Sequence, residues 1–204
     1  LLSLADVRAE LEREVDEAGP DALIGLMERL TDAAPQWGFY AKDPLARRIH
    51  HVLADRLLQA DSELRGLEHA VAVSGKPVVI LANHLSYSDA NLVEILLHRS
   101  GGDDVADRLT TLAGPKVFAS RTRRFSSLCF GTVKTPQSAD VSSADAVMHP
   151  REVAQAARQS IAAARARLAL GDALLVFGEG TRSRSRAMQP LLAGVTRYLD
   201  GKST

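Results

Sequence analysis

Pro77-Val78-Val79-Ile80-Leu81-Ala82-Asn83-His84-Leu85-Ser86-Tyr87-Ser88-Asp89 passes from an unbroken apolar run into a polar loop. Such a run, centred on Val78 to Ile80, is the pattern of a strand buried on both faces. Ala90-Asn91-Leu92-Val93-Glu94-Ile95-Leu96-Leu97 then takes up helical spacing. A second run, Ala173-Leu174-Leu175-Val176-Phe177, follows an Ala/Arg-rich helical segment that Pro150 opens and Gly171 closes. Between the two lie an apolar piece at 109–113, a helical pattern over 121–129 and a strand pattern over 130–134. Alternating strands and helices predict an α/β fold, a mostly parallel sheet flanked by helices, with its sites at the carboxyl ends of the strands. Gly101-Gly102-Asp103-Asp104 and the polar stretch 135–149 read as surface loops.

Upstream the pattern is helical. Leu4, Val7, Leu11 and Val15 share one face; Leu23, Ile24, Met27 and Leu30 form a second set after the cap candidate Asp21, ended by Pro35. Asp43-Pro44 pairs an N-cap with a first-turn proline and opens a third helix through Ile49, Val52, Leu53, Leu57 and Leu58. Asp61 or Ser62 starts a fourth, with Leu64 and Leu67 inward. Four helices without an intervening strand predict a small amino-terminal helical bundle over residues 1–74, with the α/β domain over 75–204. Trp37, Phe39 and Tyr40, in a linker of that bundle, read as core packing or domain docking, with a ligand contact as the alternative.

Composition bounds the function. The chain has 204 residues, 46% of them hydrophobic, enough for a sizeable core. Lys+Arg and Asp+Glu are both 25, so no global field draws nucleic acid, and no nucleic-acid partner is expected. The lone Cys129, between Leu128 and Phe130, reads as a buried thiol in a reducing compartment. No apolar stretch approaches the ~18 residues of a membrane span. Leu1-Leu2-Ser3-Leu4 gives way to Asp6, Arg8 and Glu10 instead of a signal-peptide core. The expectation is a cytoplasmic protein, with peripheral contact at a membrane left open. His50, His51, His69, His98 and His149 lack metal-ligand spacing and read as surface or helix-packing residues, so no metal is expected. The chain begins on leucine and reads as a trimmed or partial protein.

Two loops at predicted strand ends carry candidate chemistry. His84 and Asp89 put an imidazole and a carboxylate in one loop, the pattern of a general base oriented by an acid. The same spacing also fits a loop histidine beside an N-capping aspartate. Gly178-Glu179-Gly180-Thr181-Arg182-Ser183-Arg184-Ser185 offers glycines for close approach of the backbone to an anion, and Arg182 and Arg184 for forked bonds to a phosphate. It has neither the P-loop nor the dinucleotide-binding glycine pattern. The alternative is a turn with solvated arginines. Arg121, Arg123 and Arg124 beside Phe125 fit a solvated face better than a docking site for an acidic partner, and Lys116 is equally open to either role.

Together the blocks Asn83-His84-x4-Asp89 and Phe177-Gly178-Glu179-Gly180-Thr181-Arg182-Ser183 resemble the signature of the glycerolipid acyltransferase family, over roughly residues 78–199. Helices upstream and no membrane span look most like its soluble, plastid-type glycerol-3-phosphate members. The resemblance implies His84 as catalytic base, Asp89 as its orienting carboxylate, and Glu179, Gly180, Thr181 and Arg182 as the block that binds the acceptor's phosphate. Arg184 falls on a second phosphate arginine and Lys134 on a basic ligand of an intervening block. It further implies transfer of a fatty acyl group from acyl-CoA or acyl-ACP, as co-substrate and without a bound cofactor, to glycerol 3-phosphate, with lysophosphatidate or another lysophospholipid as the alternative acceptor. The rival reading is a non-catalytic module that binds phospholipid, with His84 and Asp89 as structural groups. No serine or cysteine nucleophile stands in an acyl-enzyme context, so direct displacement is expected, with backbone amides of residues 86–89 as oxyanion donors. Three departures stand out. Gly178 replaces the usual proline, Lys134-Thr135-Pro136 lacks a neighbouring histidine, and the fourth family block would lie beyond Thr204.

Overall fold

The computed structural model describes residues 3–136, 148–183, 185 and 187–199. Five strands form one mixed, mostly parallel sheet: β1 (Phe39–Tyr40), β2 (Val78–Ala82), β3 (Leu109–Ala113), β4 (Gly131–Lys134) and β5 (Ala173–Phe177). Their order is β1-β4-β3-β5-β2; β1 runs antiparallel to β4, and every other pair is parallel. β2 and β5 pair in register from Val78 with Ala173 to Ala82 with Phe177. The loops that leave these two strands therefore emerge side by side.

The helices are α1 (Leu4–Ala18), α2 (Pro20–Thr31), α3 (Pro44–Leu57), α4 (Leu67–Ala72), α5 (Asp89–Arg99), α6 (Asp103–Asp107), α7 (Pro115–Phe118), α8 (Arg121–Leu128), α9 (Pro150–Ala169) and α10 (Thr196–Leu199). One sheet face packs on α5 and α6 through Leu97, Val105, Leu109 and Leu175; the other packs on α9 through Val133, Ala164, Leu174 and Val176. A third cluster of Leu26, Leu45, Ala46 and Leu128 fastens α2 and α3 to α8. β5 is an interior strand, between β3 and β2, and its Ala173, Leu174, Leu175 and Val176 are buried. The long polar stretch expected to be a surface loop falls largely on residues 137–147, outside the described residues. Among the described residues no helix is long and apolar enough to cross a membrane.

The amino-terminal segment departs from expectation in three ways. It contains a strand: Phe39 pairs with Val133 and Tyr40 with Thr132, so this segment completes one edge of the sheet. Two residues are too few to show periodicity. Gly131 makes the approach possible, because a Cβ there would lie 2.9 Å from the Phe39 ring and 2.3 Å from the Thr110 hydroxyl. Next, α2 turns a different face inward. Ala22, Leu26 and Leu30 pack inside, whereas Leu23, Ile24 and Met27 are exposed. Gly19 ends α1 and caps α2 at φ +82, so α2 starts at Pro20 instead of after Asp21. Finally, the fourth helix begins only at Leu67, after Gly66 in a left-handed conformation. β2 also differs from the doubly buried strand expected: among the described residues it pairs only with β5, and Leu81 is half exposed.

Two buried cations fix the linker that carries β1. The Arg124 side chain, only 2% exposed, donates from Nε to the Arg29 carbonyl at 3.2 Å and lies 4.8 Å from the ring centroids of both Tyr40 and Phe118. Arg124 is thus no part of a solvated face. The Lys134 ammonium donates to the Ala34 carbonyl at 2.6 Å and sits 4.7 Å over Trp37. Burial, reinforced by the positive charge of Arg124, pushes the Lys134 pKa down.

A second charged network joins α3 to α5. Glu94, fully buried, accepts from Arg47 Nε at 2.7 Å and from His51 Nε2 at 3.0 Å, with His50 Nε2 at 3.5 Å. Arg47 also pairs with Asp107. Burial alone would raise the Glu94 pKa. Hydrogen bonds from His50, His51 and Arg47 together outweigh it and hold the carboxyl well below the usual range. Cys129 is fully buried, and desolvation pushes its thiol pKa up, leaving it inert as a nucleophile.

Candidate active site

His84 lies two residues beyond β2, and Asp89 is the first residue of α5. The cap position belongs to Ser88, so the Asp89 carboxylate does not cap the helix. It turns back into the loop and accepts three hydrogen bonds: from Leu85 N–H at 2.6 Å, from Ser86 N–H at 2.9 Å and from His84 Nδ1–H at 2.8 Å. An ionised carboxylate can only accept, so the proton of the neutral ring sits on Nδ1 and Nε2 keeps its lone pair. Nε2 has no protein partner among the described residues. The Phe177 ring stacks on the imidazole at 4.4 Å between centroids and 21° between planes. Ring, backbone and carboxylate thus hold His84 in one orientation.

The loop after β5 supports the same histidine from the other side. Glu179, 4% exposed, accepts the His84 backbone N–H at 3.3 Å through Oε1, and Ser183 N–H donates to the His84 carbonyl at 2.7 Å. Glu179 Oε2 is buried without a partner among the described residues. Gly180 has φ +67, and a Cβ there would also meet Leu192 at 2.3 Å, so the turn requires glycine. At Gly178 the Leu191 side chain fills the space a Cβ would take.

A cleft of about 480 Å³ opens at the carboxyl ends of the strands. His84, Tyr87, Lys116, Thr181 and Arg182 line its polar part; Val153, Ala157 and Ile161 of α9, with Val176 and Val195, line an apolar wall. The structure therefore brings together His84, Asp89, Glu179, Gly180, Thr181 and Arg182. Glu179 does so from beneath, as a support for His84 and not as part of the cleft surface. Lys134 does not line the cleft, and its ammonium is held by Ala34. Arg184 lies outside the described residues.

Of the expected oxyanion donors, Ser86 N–H is engaged by Asp89, Ser88 N–H by the Ser86 hydroxyl and Asp89 N–H by the Ser86 carbonyl. Among the described residues only Tyr87 N–H of that set is without a partner. The sequence pointed to the Tyr87 amide within 86–89 but to no role for its side chain. Its ring lies 3.8 Å beneath the Arg182 guanidinium. An aromatic inside the His-x4-Asp spacing was the signal available.

The acyltransferase family model matches residues 61–199, and the chain belongs to that family. Membership makes it an O-acyltransferase of lipid metabolism, with an acyl donor and a lipid acceptor as substrates. A search for similar curated proteins found no significant match.

Proposed function

We propose that the protein transfers a fatty acyl group from a thioester to a hydroxyl of glycerol 3-phosphate, with His84 as general base and Asp89 as its orienting carboxylate. The observation that carries this reading is the His84–Asp89 hydrogen bond, which leaves Nε2 basic in a cleft shared with Arg182. His84 Nε2 takes the hydroxyl proton as the oxygen attacks the thioester carbonyl. The carbon–oxygen bond forms, the carbon–sulfur bond breaks as the tetrahedral intermediate collapses, and the proton passes to the departing thiolate. Tyr87 N–H is the amide available to the oxyanion. Arg182 and Thr181 bind the acceptor's phosphate, joined by Arg184. The apolar wall takes the acyl chain.

Lysophosphatidate carries the same phosphate, and the same apolar wall suits its chain, so it is the second acceptor. Exposed Leu85 and Leu191, next in the chain to cleft residues His84 and Leu192, support peripheral contact with a membrane where a lipid product would leave. The donor is acyl-CoA or acyl-ACP. The test is a matrix of both donors against glycerol 3-phosphate, lysophosphatidate and glycerol, reading thiol release and lipid product together. Acceptor-dependent thiol release, abolished in a folded His84→Ala variant, is expected. Release of thiol without acceptor would mark a hydrolase, and an active His84→Ala enzyme would remove the base mechanism.

A further inference from the structure

Tyr87, 44% exposed at the cleft, has two guanidinium groups on its ring: Arg182 at 3.8 Å and Arg123 at 5.0 Å from the centroid. One comes from the loop after β5 and the other from α8, segments remote in sequence that the sheet brings to one place. Neither has a carboxylate partner among the described residues. Arg123 stands beside the cleft and not among the residues that line it, but its Nη1 donates at 3.0 Å to the carbonyl of Lys116, which does line it. By contrast Arg47, Arg56, Arg99, Arg108 and Arg167 each pair with an acid.

Two cations on one ring repel each other, while the electron-rich face of the ring attracts each of them. The ring therefore holds the pair close without neutralising it. We infer that Arg123 is a second guanidinium of the acceptor-phosphate site, held with Arg182 on the shared ring of Tyr87 so that one phosphate dianion engages both. The inference rests on the proposed reading of Arg182 as a phosphate ligand. Tyr87 is a positioning residue in it. Arg121, on the same helix and exposed, makes no side-chain hydrogen bond, ion pair or ring contact among the described residues and supplies a control of equal charge.

The experiment is steady-state kinetics with glycerol 3-phosphate as the varied acceptor, and inorganic phosphate as a competing probe. Folding of each variant is checked by thermal melting. Arg123→Ala is expected to raise the acceptor KM and the inhibition constant of phosphate together by about 10-fold, the scale of one charge-assisted bond, with kcat and donor KM within about twofold. Arg123→Lys should recover only part, because an ammonium lacks the planar fork. Tyr87→Leu should behave as a weaker Arg123→Ala, and Tyr87→Phe, which keeps a ring under both guanidinium groups, should raise both constants less than Tyr87→Leu does. Arg121→Ala should change neither constant. The inference is overturned if Arg182→Ala raises both constants while Arg123→Ala raises neither, or if Arg123→Ala raises the donor KM instead. If Arg182→Ala also leaves both constants unchanged, the phosphate reading of the loop itself has failed.

Discussion

The charges buried between α3 and α5 and those at the mouth of the cleft differ in what neutralises them. Glu94 meets Arg47, His50 and His51 inside the protein, and Arg47 meets Asp107 as well. Arg182 and Arg123 meet an aromatic ring and, for Arg123, a backbone carbonyl, with no acid among the described residues. A charge satisfied inside the fold holds elements together, and removing it leaves a desolvated partner behind. A charge left without a counter-ion costs little to remove from the folded protein and is free to meet a ligand. Stability and turnover should therefore respond to different substitutions.

The largest effect falls on rate. His84→Ala should lower kcat by about 10²–10⁴-fold with the melting temperature nearly unchanged, as single-turnover acyl transfer would show; a matching loss of stability would blur the contrast. Next, Glu94→Ala should cost ~3–5 kcal/mol in urea unfolding, the scale for breaking a buried ion pair. Its network also sets a pH dependence. The folded Glu94 pKa lies below its unfolded value of about 4.3, so its contribution is complete above that pH and is lost as the pH falls through the folded pKa. Glu94→Gln should flatten the acid limb of stability against pH.

Arg182→Ala should leave stability within about 0.5 kcal/mol and raise the acceptor KM about 10-fold, more than that of the donor. Lys134→Met should have the smallest kinetic effect, leaving the acceptor KM unchanged, while losing roughly 1 kcal/mol for the unmet Ala34 carbonyl. A rise in acceptor KM there would move Lys134 into the site and redraw the boundary between the two sets of charges.

The same division explains what was legible in the sequence. β5 was visible because an interior strand buried on both faces is a continuous apolar run, α9 because a long amphipathic helix imposes its own period, and β2 was visible as a strand although not as an edge. β1 was not, because two residues have no period and its partner strand lies far along the chain. Glu94 and Arg124 were unreadable as buried groups: a lone charge in a helical pattern ordinarily faces water, and only the tertiary partners reverse that. His84, Asp89 and Glu179 through Arg182 stood out because each cluster is local. The Tyr87–Arg123 contact crosses from one loop to a separate helix, so no short window contains it. Lys134, a ligand only by resemblance to an intervening block of the family, is turned to the linker by Ala34 and Trp37.

The hydrogen bond from His84 N–H to Glu179 spans 95 residues of chain, as does the register between β2 and β5. On a growing chain made at about 5–20 residues per second, the histidine exists for roughly 5–20 s before the glutamate that seats it. Contacts of such long separation are among the slowest to form. Nascent chains should thus pass through a period in which β2 is present without its neighbour, and catalytic competence should arrive late, with the pairing of β5.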